Sequence, residues 1–161
     1  MAQTAAQTRK NIDGLFAGPQ DLVERLPMLR TILQKTASSW IERMGSISAT
    51  VPEVVLVGVE SGPPETMLAS TASQAIACVL EAPNWNARMI LCAEYEFVFT
   101  IVEMLLGGDG SEPAPMSDRP LTRTELGLAQ LVFDQFALSL EQAFAKVAPT
   151  NFVAGPAAAR V

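Results

Sequence analysis

Apolar positions recur at steps of three and four between residues 26 and 44, at Leu26, Leu29, Leu33, Ala37, Trp40 and Met44. One stripe at that spacing predicts an amphipathic helix. Pro27 suits its first turn, where no amide donor is needed, and Gly45 ends it. The period then changes. Residues 53–60, EVVLVGVE, are rich in β-branched types and predict a strand. After a turn-rich break at 61–64, residues 75–81 (AIACVLE) and 88–93 (RMILCA) predict two more strands. The APNWN between them holds a Pro-Asn turn, which predicts a hairpin. Helical spacing returns over 95–106, with Phe97, Ile101 and Leu105 on one line and Val98 and Val102 beside it. Residues 111–120 carry three prolines and predict a loop.

The last long element announces its own start. Thr122 and Glu125 stand three apart, the spacing of a capping box, and the helix they open should run to about residue 144. Leu126, Ala129, Phe133, Phe136, Leu140 and Phe144 form one stripe on it; Leu128, Leu131 and Leu138 lie off that stripe. An isolated surface helix needs one apolar face. This one shows more, which fits either burial between two layers or contact with another subunit. Pro149 and Asn151 break the pattern, and NFVAGPAAARV predicts only a short or unfinished element. Helices laid on an antiparallel or mixed sheet make an α+β two-layer domain.

Composition narrows the function. The 161 residues suffice for one domain with its own core. Hydrophobic residues make up 49% and charged ones 17%, with a mean hydropathy of +0.25, so we expect another chain to cover some apolar surface. The net charge is −6 and the 11 Lys and Arg are scattered, which excludes a phosphate-neutralising patch for nucleic acid and disfavours an anionic membrane surface. The chain has no histidine, which removes His-based triads, metal sites and proton shuttles. Cys78 and Cys92 form no CxxC and read as small buried hydrophobes in a reducing compartment. MAQTAAQTRKN lacks the apolar core of a signal peptide, and the apolar run 89–106 carries Glu94, Glu96 and Glu103, a poor membrane span. A cytosolic chain is expected.

Two stretches invite a functional reading. NIDGLFAG, residues 11–18, places Ile12, Leu15 and Phe16 at helical spacing within a polar region, which fits packing onto the domain or capture by a partner. LLGGDGSEP, residues 105–113, ends an apolar helix with Gly107, Gly108, Asp109 and Gly110. It has no P-loop lysine and follows a helix instead of preceding one, so it is no phosphate cradle. Asp109, Glu112 and Asp118 lack the spacing of a calcium loop. Gly107 fits the position after a helix C-cap, where φ is positive. One glycine satisfies that position, and three in four exceed it; backbone without Cβ atoms lets another chain approach closely.

Together, ERLPMLRTILQKTASSW (25–40), EFVFTIVEMLLGGDG (96–110) and RPLTRTELGLAQLVFDQF (119–136) resemble the middle domain of the FliM family of flagellar motor switch proteins. The resemblance implies a CheC-like fold, of the pseudo-symmetric CheC/CheX/FliM type, with residues 1–24 as an N-terminal tail and 25–161 as the first part of the middle domain. It implies a structural subunit of the cytoplasmic C-ring, at the inner face of the inner membrane, with no cofactor. Gly107, Gly108, Asp109 and Gly110 would contact the middle domain of FliG. Neighbouring FliM-like subunits would meet through the first and last helices, with Leu128, Leu131 and Leu138 as the self-association candidates.

The resemblance extends to two further features. Family members capture phosphorylated CheY with a peptide of the form Glu-Ile-Asp-x-Leu-Leu; here Ile12, Asp13 and Leu15 match, Phe16 takes the last position, and Asn11 replaces the glutamate. The phosphatase relatives carry Asp or Ser, then Glu four residues on, then Asn three further. The first helix offers Ser38, Glu42 and Gly45, and the last offers Leu121, Glu125 and Leu128, so neither copy holds both the acid and the amide that position water. A non-catalytic switch subunit is expected, with a CheC-like phosphatase acting on CheY as the alternative. The family's middle domain continues with more strands and helices and then a domain that joins FliN. This chain matches to about its midpoint, so an open sheet edge is expected and FliN docking falls on no residue. On this reading Gly108→Val weakens FliG binding without unfolding the domain.

Overall fold

The computed structural model describes residues 27–59, 75–111 and 121–159. It has two compact units, and the second, residues 32–56 with 71–161, holds every element below except the first turn of α1. Of the first unit the described residues are that turn, 27–31, and the irregular stretch 57–59.

Helix α1 spans Pro27–Gly45, close to the expected bounds. Its buried line is Ile32, Thr36, Trp40 and Met44, while Leu33 and Ala37 are only half-buried. The buried stripe is centred one position earlier than apolarity predicts because Thr36, polar by type, is 1% exposed. Its hydroxyl donates to the Ile32 carbonyl at 2.9 Å, which removes the penalty of burying it. The strand expected at 53–60 does not form: residues 51–59 are irregular, and residue 60 lies outside the described residues. Exposure alternates there as in a strand, with Val54 packed inward and Val55 outward. Among the described residues nothing pairs with it, and β propensity only expresses fit to a pleated neighbour.

Strands β1 (Ala75–Ala82) and β2 (Ala87–Glu94) form the expected antiparallel hairpin, with Ile76 opposite Ala93 and Leu80 opposite Met89. A 3-10 turn at Pro83–Trp85 and a left-handed Asn86 (φ 49, ψ 42) join them. Asn adopts that conformation at less cost than most residues. Side chains alternate along β1: Ile76, Cys78, Leu80 and Ala82 are buried, while Val79 and Glu81 face the other way. Cys92 lies opposite Ala77 and is half-buried, so only Cys78 meets the expectation of a buried thiol; both are free. Burial pushes the Cys78 thiol up to about 11.

The other edge of β1 is closed by the stretch that looked unfinished. β3 (Val153–Ala154) and β4 (Ala158–Ala159) both pair antiparallel with β1. Ala154 opposes Leu80 and Ala158 opposes Ala77, so the outer chain spends one residue more than β1 over that interval. That is a β-bulge. Among the described residues no strand pairs with the outer edge of β2.

Helices α2 (Tyr95–Leu105) and α3 (Arg123–Phe144) lie on the inward face of the sheet. Val98, Val102, Phe133, Ala137 and Leu140 meet Ile76, Cys78 and Leu80 there. A second cluster joins α1 to both helices through Trp40, Met44, Ile101, Met104 and Val132. At the hairpin tip Trp85 packs edge-on against Phe144 (5.0 Å) and Phe152 (5.4 Å). Two side chains of α3 grip the last strands: Gln130 Oε1 accepts from Ala157 N–H at 2.7 Å, and Glu141 accepts from Phe152 N–H at 3.4 Å.

The capping box of α3 is complete. Glu125 N–H donates to Thr122 Oγ1 at 3.2 Å, and Thr122 N–H donates to Glu125 Oε2 at 2.6 Å. Thr122→Ala is expected to lower stability by about 1 kcal/mol, measured as a shift in the urea midpoint at constant slope. No shift would mean that the first turn is frayed in solution. Among the described residues no helix is long and apolar enough to cross a membrane.

Candidate functional site

The last turn of α2 closes with a Schellman motif. Gly107 N–H donates to the Met104 carbonyl at 3.2 Å and Gly108 N–H to the Glu103 carbonyl at 2.9 Å. The geometry requires Gly107 at φ +99, as the sequence predicts for the residue after a helix C-cap. The other two glycines also have reasons inside the chain. Gly110 sits at φ +79, and a Cβ there would meet Thr100 Cγ2 and Met104 Cγ at 3.2 Å. A Cβ on Gly108 would fall 2.6 Å from Glu103 Cγ and Oε1. The count of glycines therefore does not by itself require a partner.

What distinguishes the loop is its presentation. A Cβ on Gly107 would meet nothing within 4 Å, so that backbone opens to solvent. Leu106 beside it is 74% exposed. Asp109 is also exposed, and its carboxylate accepts from Ser111 N–H at 2.9 Å. Hydrogen bonds from Ser111 hold its carboxyl below the usual range. The loop thus offers bare backbone, one apolar side chain and one fixed negative charge. It is held at three points: the Schellman bonds, the Asp109–Ser111 bond, and a bond from Thr50 Oγ1 to the Gly108 carbonyl at 3.2 Å. A loop already in one conformation loses little entropy on binding.

Sequence reasoning missed Thr50. It lies 58 positions away in the chain, in a serine-rich turn that carries no motif. The same turn sends Ala49 N–H to the Met104 carbonyl at 3.4 Å. Also missed was Gln142, whose Oε1 accepts from Ser39 Oγ at 2.9 Å and Arg43 Nη2 at 3.2 Å, fixing α1 against α3.

The remaining candidates are scattered. Leu138 is 42% exposed on α3 and Leu131 is half-buried, while Leu128 packs against the sheet-facing core. Ile12, Asp13, Leu15 and Phe16 lie outside the described residues, as do Glu112 and Asp118. Of the residues in phosphatase register, Ser38 Oγ donates to its own helix at the Gln34 carbonyl (3.1 Å), Glu42 is exposed, and the Glu125 carboxylate is engaged in the capping box.

Comparison with known proteins adds the family. A model described as flagellar motor switch protein FliM matches residues 22–157. The chain is 27% identical over 130 residues to the FliM of Caulobacter vibrioides, in strains CB 15 and NA1000, a match that takes in 80% of this chain and 35% of each relative. It therefore spans about a third of the length of these curated relatives. Among solved structures, a chain of the FliG–FliM complex from H. pylori superposes with a TM-score of 0.75 at 23% identity, covering 85% of this chain and 73% of that one. The FliM middle domain of Vibrio alginolyticus gives 0.70 at 17%, covering 83% and 73%. At those identities the likeness is one of fold, and it runs well past the midpoint of the crystallised chains.

Proposed function

Because the chain belongs to the family of the flagellar motor switch protein FliM, we propose that it acts as a non-catalytic subunit of the motor switch complex. On this reading it holds the middle domain of FliG on the loop formed by Gly107, Gly108, Asp109 and Gly110. The observation that carries the reading is the loop itself, exposed at Gly107 and Asp109 yet fixed by hydrogen bonds from three directions. A solved complex of FliG with FliM among the structural neighbours supports the choice of partner. Function then follows from mechanics. The subunit sits in the cytoplasmic C-ring beside copies of itself, through α3 at the exposed Leu138 and the half-buried Leu131. A signal from phosphorylated CheY, received at the N-terminal peptide, changes how FliG is held.

An isotope-labelled NMR titration of the full chain with the middle domain of FliG tests the partner. Shifts concentrated at residues 107–110 are expected; shifts confined elsewhere, or none, would remove this surface from the reading. Phosphate release from phosphorylated CheY should be unchanged by the chain, since neither helix carries both the acid and the amide that position water. Any acceleration would favour the phosphatase alternative.

A further inference from the structure

The Schellman bonds fix the amides of Gly107 and Gly108 but leave the Gly108 carbonyl free to turn. That carbonyl and the Asp109 N–H share one peptide plane. Whatever holds the carbonyl therefore sets the direction in which Asp109 leaves the loop. Thr50 Oγ1 donates to it at 3.2 Å, from a half-buried position. Thr50 is itself restrained. Ser48 N–H donates to the Met44 carbonyl, in the last turn of α1, at 2.9 Å, and the Ser48 hydroxyl lies 2.5 Å from the Thr50 carbonyl. Ala49 N–H, donating to the Met104 carbonyl at 3.4 Å, brings the turn against the end of α2.

We propose that Thr50 is the positioning residue of the Gly107–Gly110 loop, and that through it the loop is tied to the C-terminus of α1. The connection runs from Gln142 on α3, through Ser39 and Arg43 on α1, to Met44, Ser48, Thr50, Gly108 and Asp109. These bonds tie the loop to the end of α1 and, through it, to α3. The effect on the loop stands on this geometry alone; the effect on binding rests on the partner reading above.

Thr50→Val keeps the shape and removes the donor, and Thr50→Ser restores the donor. In the labelled full chain, Thr50→Val should shift the amide resonances of Gly108, Asp109, Gly110 and Ser111 and leave those of β1 in place. It should weaken binding of the FliG middle domain about fivefold, as loss of one hydrogen bond would. Thr50→Ser should return both readouts to those of the parent chain. If Thr50→Val does not give a folded spectrum, Thr50→Ala takes its place, since it removes the hydroxyl without altering the backbone. Unmoved loop amides, or a serine variant that behaves like the valine one, would overturn the proposal, and moved amides with unchanged affinity would overturn its extension to binding. Failure of the parent chain to bind FliG would sink the partner reading alone, and the loop amides would then decide the role of Thr50.

Discussion

Trp40→Ala should destabilise the chain by about 4 kcal/mol, the largest loss expected of any single change here. Trp40 is 3% exposed and sits where α1 meets α2 and α3, against Met44, Ile101, Met104 and Val132. Its indole N–H donates to the Val132 carbonyl at 3.3 Å, and its ring lies 6.0 Å from that of Phe97. Removing it opens a cavity between three helices, none of which can close it without losing its own contacts with the sheet or with its neighbours. The loss is a large share of the 5–15 kcal/mol typical of a domain. Trp40→Phe separates the causes, since it retains most of the apolar volume and loses the indole donor, at about 1–2 kcal/mol. Urea denaturation gives both numbers. If Trp40→Ala shifts the midpoint no further than Thr122→Ala, α1 is not part of the cooperative unit, and the proposed link from α1 to the glycine loop loses its anchor.

The elements that sequence reading located well are those whose signals are local. Thr122 and Glu125 stand one turn apart and fix the start of α3 by bonds to each other. The Pro83–Asn84 turn lies between two strands that need only each other. Gly107 carries the end of α2 in its own backbone angle. The misreadings concern relations across the chain. EVVLVGVE has the composition of a strand, but composition supplies no neighbouring strand, and residues 51–59 remain irregular. The chain after Asn151 looked unfinished because its pairing is broken by a bulge and depends on β1, more than 70 positions earlier, and on Gln130 and Glu141 of α3. The candidate site divides in the same way. Its position was legible in Gly107–Gly110, whereas its support by Thr50 and the crowding of Gly108 by Glu103 exist only once the chain is folded.

Gly107→Asn should weaken binding of the FliG middle domain at least tenfold, or about 1.4 kcal/mol, while costing less than about 1 kcal/mol of stability. The choice of residue follows from the geometry. Gly108→Val, the substitution suggested by sequence, would drive its side chain into Glu103 at 2.6 Å, so a loss of binding would not tell surface from packing. At Gly110 the left-handed φ of +79 and the contacts with Thr100 and Met104 confound the result in the same way. Gly107→Val would place a β-branched residue at φ +99, a conformation such residues rarely adopt. Asn tolerates left-handed backbone and occurs at this position of helix ends, so the Schellman bonds should survive. Its side chain enters space that is empty within 4 Å in the free chain. Only a partner lying close to the backbone would notice it. A thermal melt within a few degrees of the parent, combined with lost FliG binding, would show that the bare backbone at Gly107 is itself part of the interface. Unchanged binding would reduce Gly107 to a helix stop, and the interface would then rest on Leu106 and Asp109. Loss of both stability and binding would place the importance of Gly107 in its backbone angle, because even the side chain most tolerant of that angle could not hold it.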